Sequence, residues 1–157
     1  MARFLDTHGM HAEIAALIEE ARERVVLVSP LLRVNSRLRT LLENKGETLV
    51  RIVYSQTQLD ADELRWLSER SNLRMHVCDE LHAKCYLSEA RCVLGSLNLH
   101  KFGVESKDEM GVLLSRSEDA ALYFAAGREV ERLLVRSQEI RLVMATPETA
   151  VPFPTHA

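Results

Sequence analysis

Residues 81–114 read LHAKCYLSEARCVLGSLNLHKFGVESKDEMGVLL, and no other part of the chain is as dense in chemistry-bearing side chains. Within it, AKCYLSEARCVLGS predicts two strands joined by a tight turn near Ser88 to Arg91, and Glu109 to Leu114 predicts another strand. Side chains alternate along a strand, so His82 and Lys84 are expected on one face together with Tyr86. Ser96 and Asn98 share a parity at the end of the neighbouring strand. Gly95 removes a side chain where two backbones, or a backbone and a ligand, approach closely. An imidazole, a fixed cation, a hydroxyl and a carboxamide together suit a phosphodiester. Lysine neutralises the anionic oxygens, Ser and Asn donate hydrogen bonds to them, and His attacks phosphorus or moves protons. Nothing in the set is a carboxylate-rich cage, so this chemistry needs neither metal nor cofactor.

Upstream of this stretch, Met10, Ile14, Leu17, Ile18 and Ala21 recur at helical spacing and predict a helix over 8–23. Val25 to Ser29 is an unbroken apolar run, expected as a strand buried on both faces and ended by Pro30. Leu38, Leu41 and Leu42 mark a second helix closed by Asn44-Lys45-Gly46. Leu49 to Tyr54 and Leu73 to Val77 predict strands. Between them, Asp60 and Glu63 form a capping box for a helix carrying Leu64 and Leu67. Downstream, Ser115 with Glu118 is expected to cap a long helix holding Leu122, Ala126, Val130, Leu133 and Leu134. The order α-β-α-β-α-β-β-β-β-α predicts an α/β fold, a mixed β-sheet sandwiched by helices. No internal repeat is visible. We expect one domain over 1–136 and a short extension over 137–157. That extension ends in a loose tail holding Pro147, Pro152 and Pro154, three of the four prolines.

Composition bounds the rest. The chain has 157 residues, 20 Lys and Arg against 23 Asp and Glu, and a net charge of −3. An acidic balance excludes a sequence-blind DNA coat, which would be strongly basic. No apolar run approaches the ~20 residues that cross a bilayer. The opening residues lack a cationic segment followed by an apolar one, so a cytoplasmic location without stable membrane association is expected. Cys78, Cys85 and Cys92 each sit in an apolar stretch without a CxxC pair, and read as reduced, buried thiols rather than metal ligands.

HAK followed by GSLN resembles the HxK…GSxN signature of the phospholipase D superfamily, the HKD motif. His82, Lys84, Ser96 and Asn98 match its key positions. The following KFGVESKDEMGVLL resembles the segment that, in small nucleases of the superfamily, supplies a Glu hydrogen-bonded to the motif His, and Glu109 matches that Glu. The resemblance implies a phospholipase D-like half-domain with a single motif, paired in a homodimer that builds one site from two copies. An isologous interface brings the same residue from both subunits to the axis. It further implies a metal-independent two-step reaction. One His82 forms a phosphohistidine while the other protonates the leaving oxygen, and Glu109 orients the ring. Two departures stand out: the family's Asp five residues after the Lys is Glu89 here, and the turn before Gly95 is one residue shorter.

The expected function is therefore a phosphodiesterase, a nuclease acting on DNA or RNA. His82, Lys84, Ser96, Asn98 and Glu109 form its catalytic set, and His100 and Lys101 lie just beyond as further substrate contacts. The alternatives are a weakly active phosphate- or nucleic-acid-binding module, motivated by Glu89, and a phospholipid phosphodiesterase. Other residues read as background. His8, His11, His76 and His156 look incidental, Trp66 is a core edge or a dimer contact, and Arg33, Arg37 and Arg39 form a basic run that reads as a solvated helix face, with guidance of substrate as the alternative.

Overall fold

The buried run at Val25 to Val28 becomes the central strand of a computed structural model that describes residues 1–57, 59–104 and 106–141. In chain order the elements are β1 (Arg3–Leu5), α1 (Thr7–Glu20), β2 (Arg24–Val28), β3 (Leu31–Leu32), α2 (Ser36–Glu43), β4 (Leu49–Tyr54) and β5 (Gln56–Thr57). There follow α3 (Ala61–Ser68), β6 (Leu73–Val77), β7 (Cys85–Ser88), β8 (Arg91–Gly95), a single 3-10 turn (Leu99–Lys101), β9 (Gly111–Ser115), α4 (Ala120–Arg136) and β10 (Gln138–Ile140). Eight strands form one mixed sheet in the order β1-β9-β8-β7-β2-β4-β6-β10. Its parallel centre, β2-β4-β6, arises because helices carry the chain back between these strands. The remaining neighbours are antiparallel.

Alternation along β2 divides the core into two layers. Val25 and Leu27 face a layer shared with Ile14 and Ile18 of α1, Leu38 and Leu42 of α2, and Trp66 and Leu67 of α3. Val26 and Val28 face the opposite layer, closed by Tyr123, Val130 and Leu133 of α4. Burying each such Val, Leu or Ile is worth about 1.5–3 kcal/mol, so covering both faces is what makes the apolar run a strand. Three helices start on side-chain caps. Asp6, Asn35 and Asp60 accept from backbone N–H groups three residues on, and Asp60 with Glu63 forms the expected capping box. Buried Lys45 donates to the carbonyls of Glu19 (2.8 Å) and Ala21 (2.7 Å), satisfying the frayed end of α1.

Several expectations are corrected. Asp119, not Ser115, stands at the start of α4; Ser115 and Glu118 instead close a turn before it, with the Glu118 N–H donating to Ser115 Oγ at 3.2 Å. The strand expected from Glu109 begins at Gly111. The strand carrying the HxK begins at Cys85, so His82 and Lys84 lie on the segment leading into it, and Tyr86 does not share their exposure. Trp66 is a core edge. It lies under Arg39 and Arg70 and donates to Glu43 Oε1 at 3.1 Å. β10, within the expected extension, pairs with β6; the proline-bearing tail lies outside the described residues. The three cysteines are free and buried, and no helix among the described residues is long and apolar enough to cross a membrane.

Candidate active site

The strand registers carry distant residues to one end of the sheet. β2 ends at Val28, whose partner Cys85 is the first residue of β7. β8 ends at Gly95, paired with Gly111 at the start of β9, and Gly111 in turn faces Leu5 at the end of β1. The approach to β7 (His82, Lys84), the exit of β8 (Ser96, Asn98), the approach to β9 (Glu109) and the start of α1 (Thr7) therefore share that end.

The Gly95–Gly111 pair sets how closely α1 approaches. A Cβ at Gly95 would lie 2.6 Å from the Met110 carbonyl oxygen, 2.9 Å from Gly111 Cα and against Met10 Cε, and one at Gly111 would collide with Met10 Sδ. Met10 is fully buried on this bare patch. The glycine read from sequence as a point of close approach thus receives a helix side chain, and the first turn of α1 is pressed onto the site.

Ser96 and Glu109 are brought together. The Ser96 hydroxyl donates to the Glu109 carboxylate, and the two chain segments are laced by Ser96 N to Met110 O (3.0 Å) and Met110 N to Ser96 Oγ (3.0 Å). Thr7 Oγ1 accepts the Glu109 N–H at 2.8 Å. Asn98 is held differently: its Oδ1 accepts from Leu31 N at 3.4 Å and lies 3.5 Å from Ser29 Oγ. That leaves its Nδ2 hydrogens unclaimed among the described residues, as a phosphate oxygen requires. Fully buried Ser29 organises this corner, accepting from Leu99 N (2.8 Å) and donating to Leu31 O (2.9 Å). Beneath it the Tyr86 hydroxyl donates to the Leu97 carbonyl, and burial pushes the Tyr86 phenol far above its ordinary range.

Lys84 is half-buried and turns back to donate to the His82 carbonyl at 3.2 Å, leaving two of its three protons unused among the described residues. The His82 side chain is exposed. Within one chain no hydrogen bond joins it to Glu109, whose carboxylate takes Ser96 instead. His100 and Lys101 lie on the 3-10 turn. Lys101 is exposed, and His100 Nδ1 is buried with no partner among the described residues. Burial and the adjacent Lys101 hold the His100 imidazole below its ordinary value, against the pull of Glu109.

Glu89 lies away from this end, at the β7–β8 turn. Its carboxylate accepts from the N–H groups of Arg22 (2.8 Å) and Glu23 (2.7 Å), tying the α1–β2 connection to the hairpin. Partial burial alone would raise its carboxyl, but these backbone donors outweigh it and hold it below the ordinary value. Sequence reasoning missed Ser29, Thr7 and Met10. Only the apolar strand ending at Ser29 and the two glycines facing Met10 hinted at them. It also set His11 aside, yet His11 lies within the electrostatic reach of Glu109. Among the described residues no three His, Cys, Asp or Glu side chains gather as a metal-holding group.

No protein-family model and no curated protein matches the chain. Solved structures do. Nuc from Salmonella typhimurium, a phospholipase D family member, superposes with a TM-score of 0.72 at 11% identity, covering 90% of this chain and 98% of that one. NucT from Helicobacter pylori gives 0.71 at 14%, covering 89% and 99%. Phosphatidylserine synthase from Haemophilus influenzae gives 0.67 at 16%, covering 90% of this chain and 40% of that one. The architecture implied by the HAK…GSLN resemblance is the one observed: this chain has the fold of the phospholipase D family.

Proposed function

We propose that the protein is a phosphodiesterase of the phospholipase D type, a nuclease cleaving DNA or RNA. The observation that carries this reading is the convergence of His82 and Lys84, on the approach to β7, with Ser96, Asn98 and Glu109, on the β8–β9 connection, at one end of the sheet. Lys84 and the Asn98 amide offer unused donors to a phosphate oxygen, and exposed His82 offers a nucleophilic imidazole.

The proposed site is shared by two chains. The imidazole of one His82 attacks phosphorus, an N–P bond forms, and the P–O bond to the leaving group breaks. The other His82 gives its proton to the departing oxygen. It then takes a proton from water, whose oxygen displaces the first imidazole and releases the phosphate product. Glu109 orients a His82 ring, with the Ser96 hydroxyl holding the carboxylate in place. The charge-stabilising role falls to the Lys84 and Asn98 side chains of both copies, without a metal ion, the Ser96 hydroxyl proton being given to Glu109.

A labelled single-stranded oligonucleotide incubated with the protein in excess EDTA is expected to be cleaved, and His82→Ala to abolish cleavage. Loss of activity on chelation, or persistence in His82→Ala, sinks the mechanism. Full activity from a particle of one chain's mass, by light scattering, refutes the shared site. Turnover of phospholipid vesicles exceeding that of the oligonucleotide selects the lipid reading.

A further inference from the structure

Beside the proposed active site lies a cleft of about 650 Å³, lined by Thr7, His8 and His11 of α1, Arg37 of α2, and Gly103 and Ser106. It adjoins the site directly, because the Thr7 hydroxyl on its wall holds the Glu109 N–H at 2.8 Å. Its charge is set by an arginine left over from a basic run. Arg33 is spent on Glu63 at 2.8 Å and Arg39 on Asp62 at 2.9 Å. Exposed Arg37 makes no ion pair among the described residues.

The cleft is built rather than incidental. Gly103 adopts a φ of +77°, and a Cβ there would lie 2.6 Å from Arg37 Cβ, so the glycine lets the loop close onto the arginine stem. The His11 ring stacks on Phe102. Its Nδ1 accepts from Gly103 N at 3.3 Å, which places the ring proton on Nε2, 2.9 Å from Ser106 Oγ. With that oxygen accepting from His11, the Ser106 hydroxyl proton is unclaimed among the described residues. Partial burial lowers the His11 imidazole, His8 and Arg37 push the same way, and Glu109 opposes them. The neutral ring keeps this donor arrangement at neutral pH. The first turn of α1, which forms one wall, carries no acidic residue, its Asp6 N-cap being engaged with Gly9 N at 2.8 Å.

We propose that this cleft is a second phosphate subsite, binding through Arg37 and Ser106 the phosphodiester next to the one at His82. The inference rests on the phosphodiesterase reading and deepens it. A guanidinium and a hydroxyl lining one cleft suit a phosphate, and a second phosphate one step from the first belongs to a polynucleotide strand, not to a single-diester lipid. The site thus selects nucleic acid by reading its backbone charge twice.

The test uses the His82→Ala protein, which binds without turnover, and fluorescence anisotropy of a labelled oligothymidylate across a sodium chloride series. Adding Arg37→Ala is expected to raise Kd by roughly threefold to tenfold and to reduce the slope of log K against log salt by about 0.7. Arg37→Lys should retain the slope. An unchanged Kd and slope, or no measurable strand binding, overturns the subsite. So does a larger Arg37 dependence for anionic phospholipid vesicles than for the strand. Hydrolysis of bis(p-nitrophenyl) phosphate by the unaltered protein reports on His82 independently. Its absence overturns the phosphodiesterase reading itself, whereas a salt slope insensitive to Arg37 with hydrolysis intact overturns only the subsite.

Discussion

Replacing Gly95 by alanine tests whether the glycine pair beneath Met10 builds the site. The new methyl would meet three neighbours: the Met110 carbonyl oxygen at 2.6 Å, Gly111 Cα at 2.9 Å and Met10 Cε. The methionine end can swing aside, but the other two atoms are backbone of the paired strand and cannot yield without moving the β8–β9 ladder. Overpacking of this kind costs about 1–3 kcal/mol. A chain of this size loses about 2–4 °C of Tm per kcal/mol, so a fall of roughly 2–12 °C is expected. The two backbone contacts place the result in the upper half of that range. Gly127→Ala is the internal control. It lies in α4 with nothing within 4 Å of the added methyl, and glycine is about 1 kcal/mol worse than alanine in a helix. Its Tm should therefore rise by roughly 2–4 °C. Circular dichroism melts of the three proteins give opposite signs for the same chemical change. A Gly95→Ala protein melting at or above the unaltered protein would refute the packing argument. Because Ser96 is laced to Met110, activity at a temperature where the variant is folded should also fall.

Two further predictions concern the frame around the site. Glu89 carries a lowered carboxyl in the folded chain, so the unfolded chain protonates first as pH falls. The Tm advantage over Glu89→Gln should be full above the ordinary carboxylate range and vanish as pH drops through the lowered value; a gap independent of pH would remove the backbone-donor explanation. Oligonucleotide cleavage by Glu89→Gln should persist, since its contacts are to Arg22 and Glu23 rather than to the site. Tyr86→Phe strands the buried Leu97 carbonyl, at about 1–3 kcal/mol. Melting should drop, and amide exchange at Leu97 and Leu99 should quicken; unchanged exchange would show that the hydroxyl does not anchor the GSLN segment.

Local pattern carried much of the architecture. The buried run at Val25, the capping box at Asp60 and Glu63, and the strands at Leu49–Tyr54 and Leu73–Val77 are all present. Each is dictated by periodicity or by a cap that acts within four residues. The short edge strands β1 and β10 were not legible, because three residues pair only when a long-range partner offers an open edge. Ser115 misled for a related reason: its spacing to Glu118 fits a cap, yet the chain spends it on a turn and starts α4 one turn later.

The HAK…GSLN resemblance, with the segment that follows it, singled out His82, Lys84, Ser96, Asn98 and Glu109 as a candidate group, because residue type and separation are properties of the chain. Whom each side chain touches was decided by the tertiary structure. Strand register lays Ser96 against Glu109, and Ser29, 69 residues before Asn98 in the chain, shares its corner. Met10 seats α1 on two glycines, and this turns a histidine without a motif and one arginine of a basic run into the walls of a cleft. Contacts between residues so far apart in sequence leave no local period or spacing, so they arise only when the sheet closes and brings the ends of its strands together.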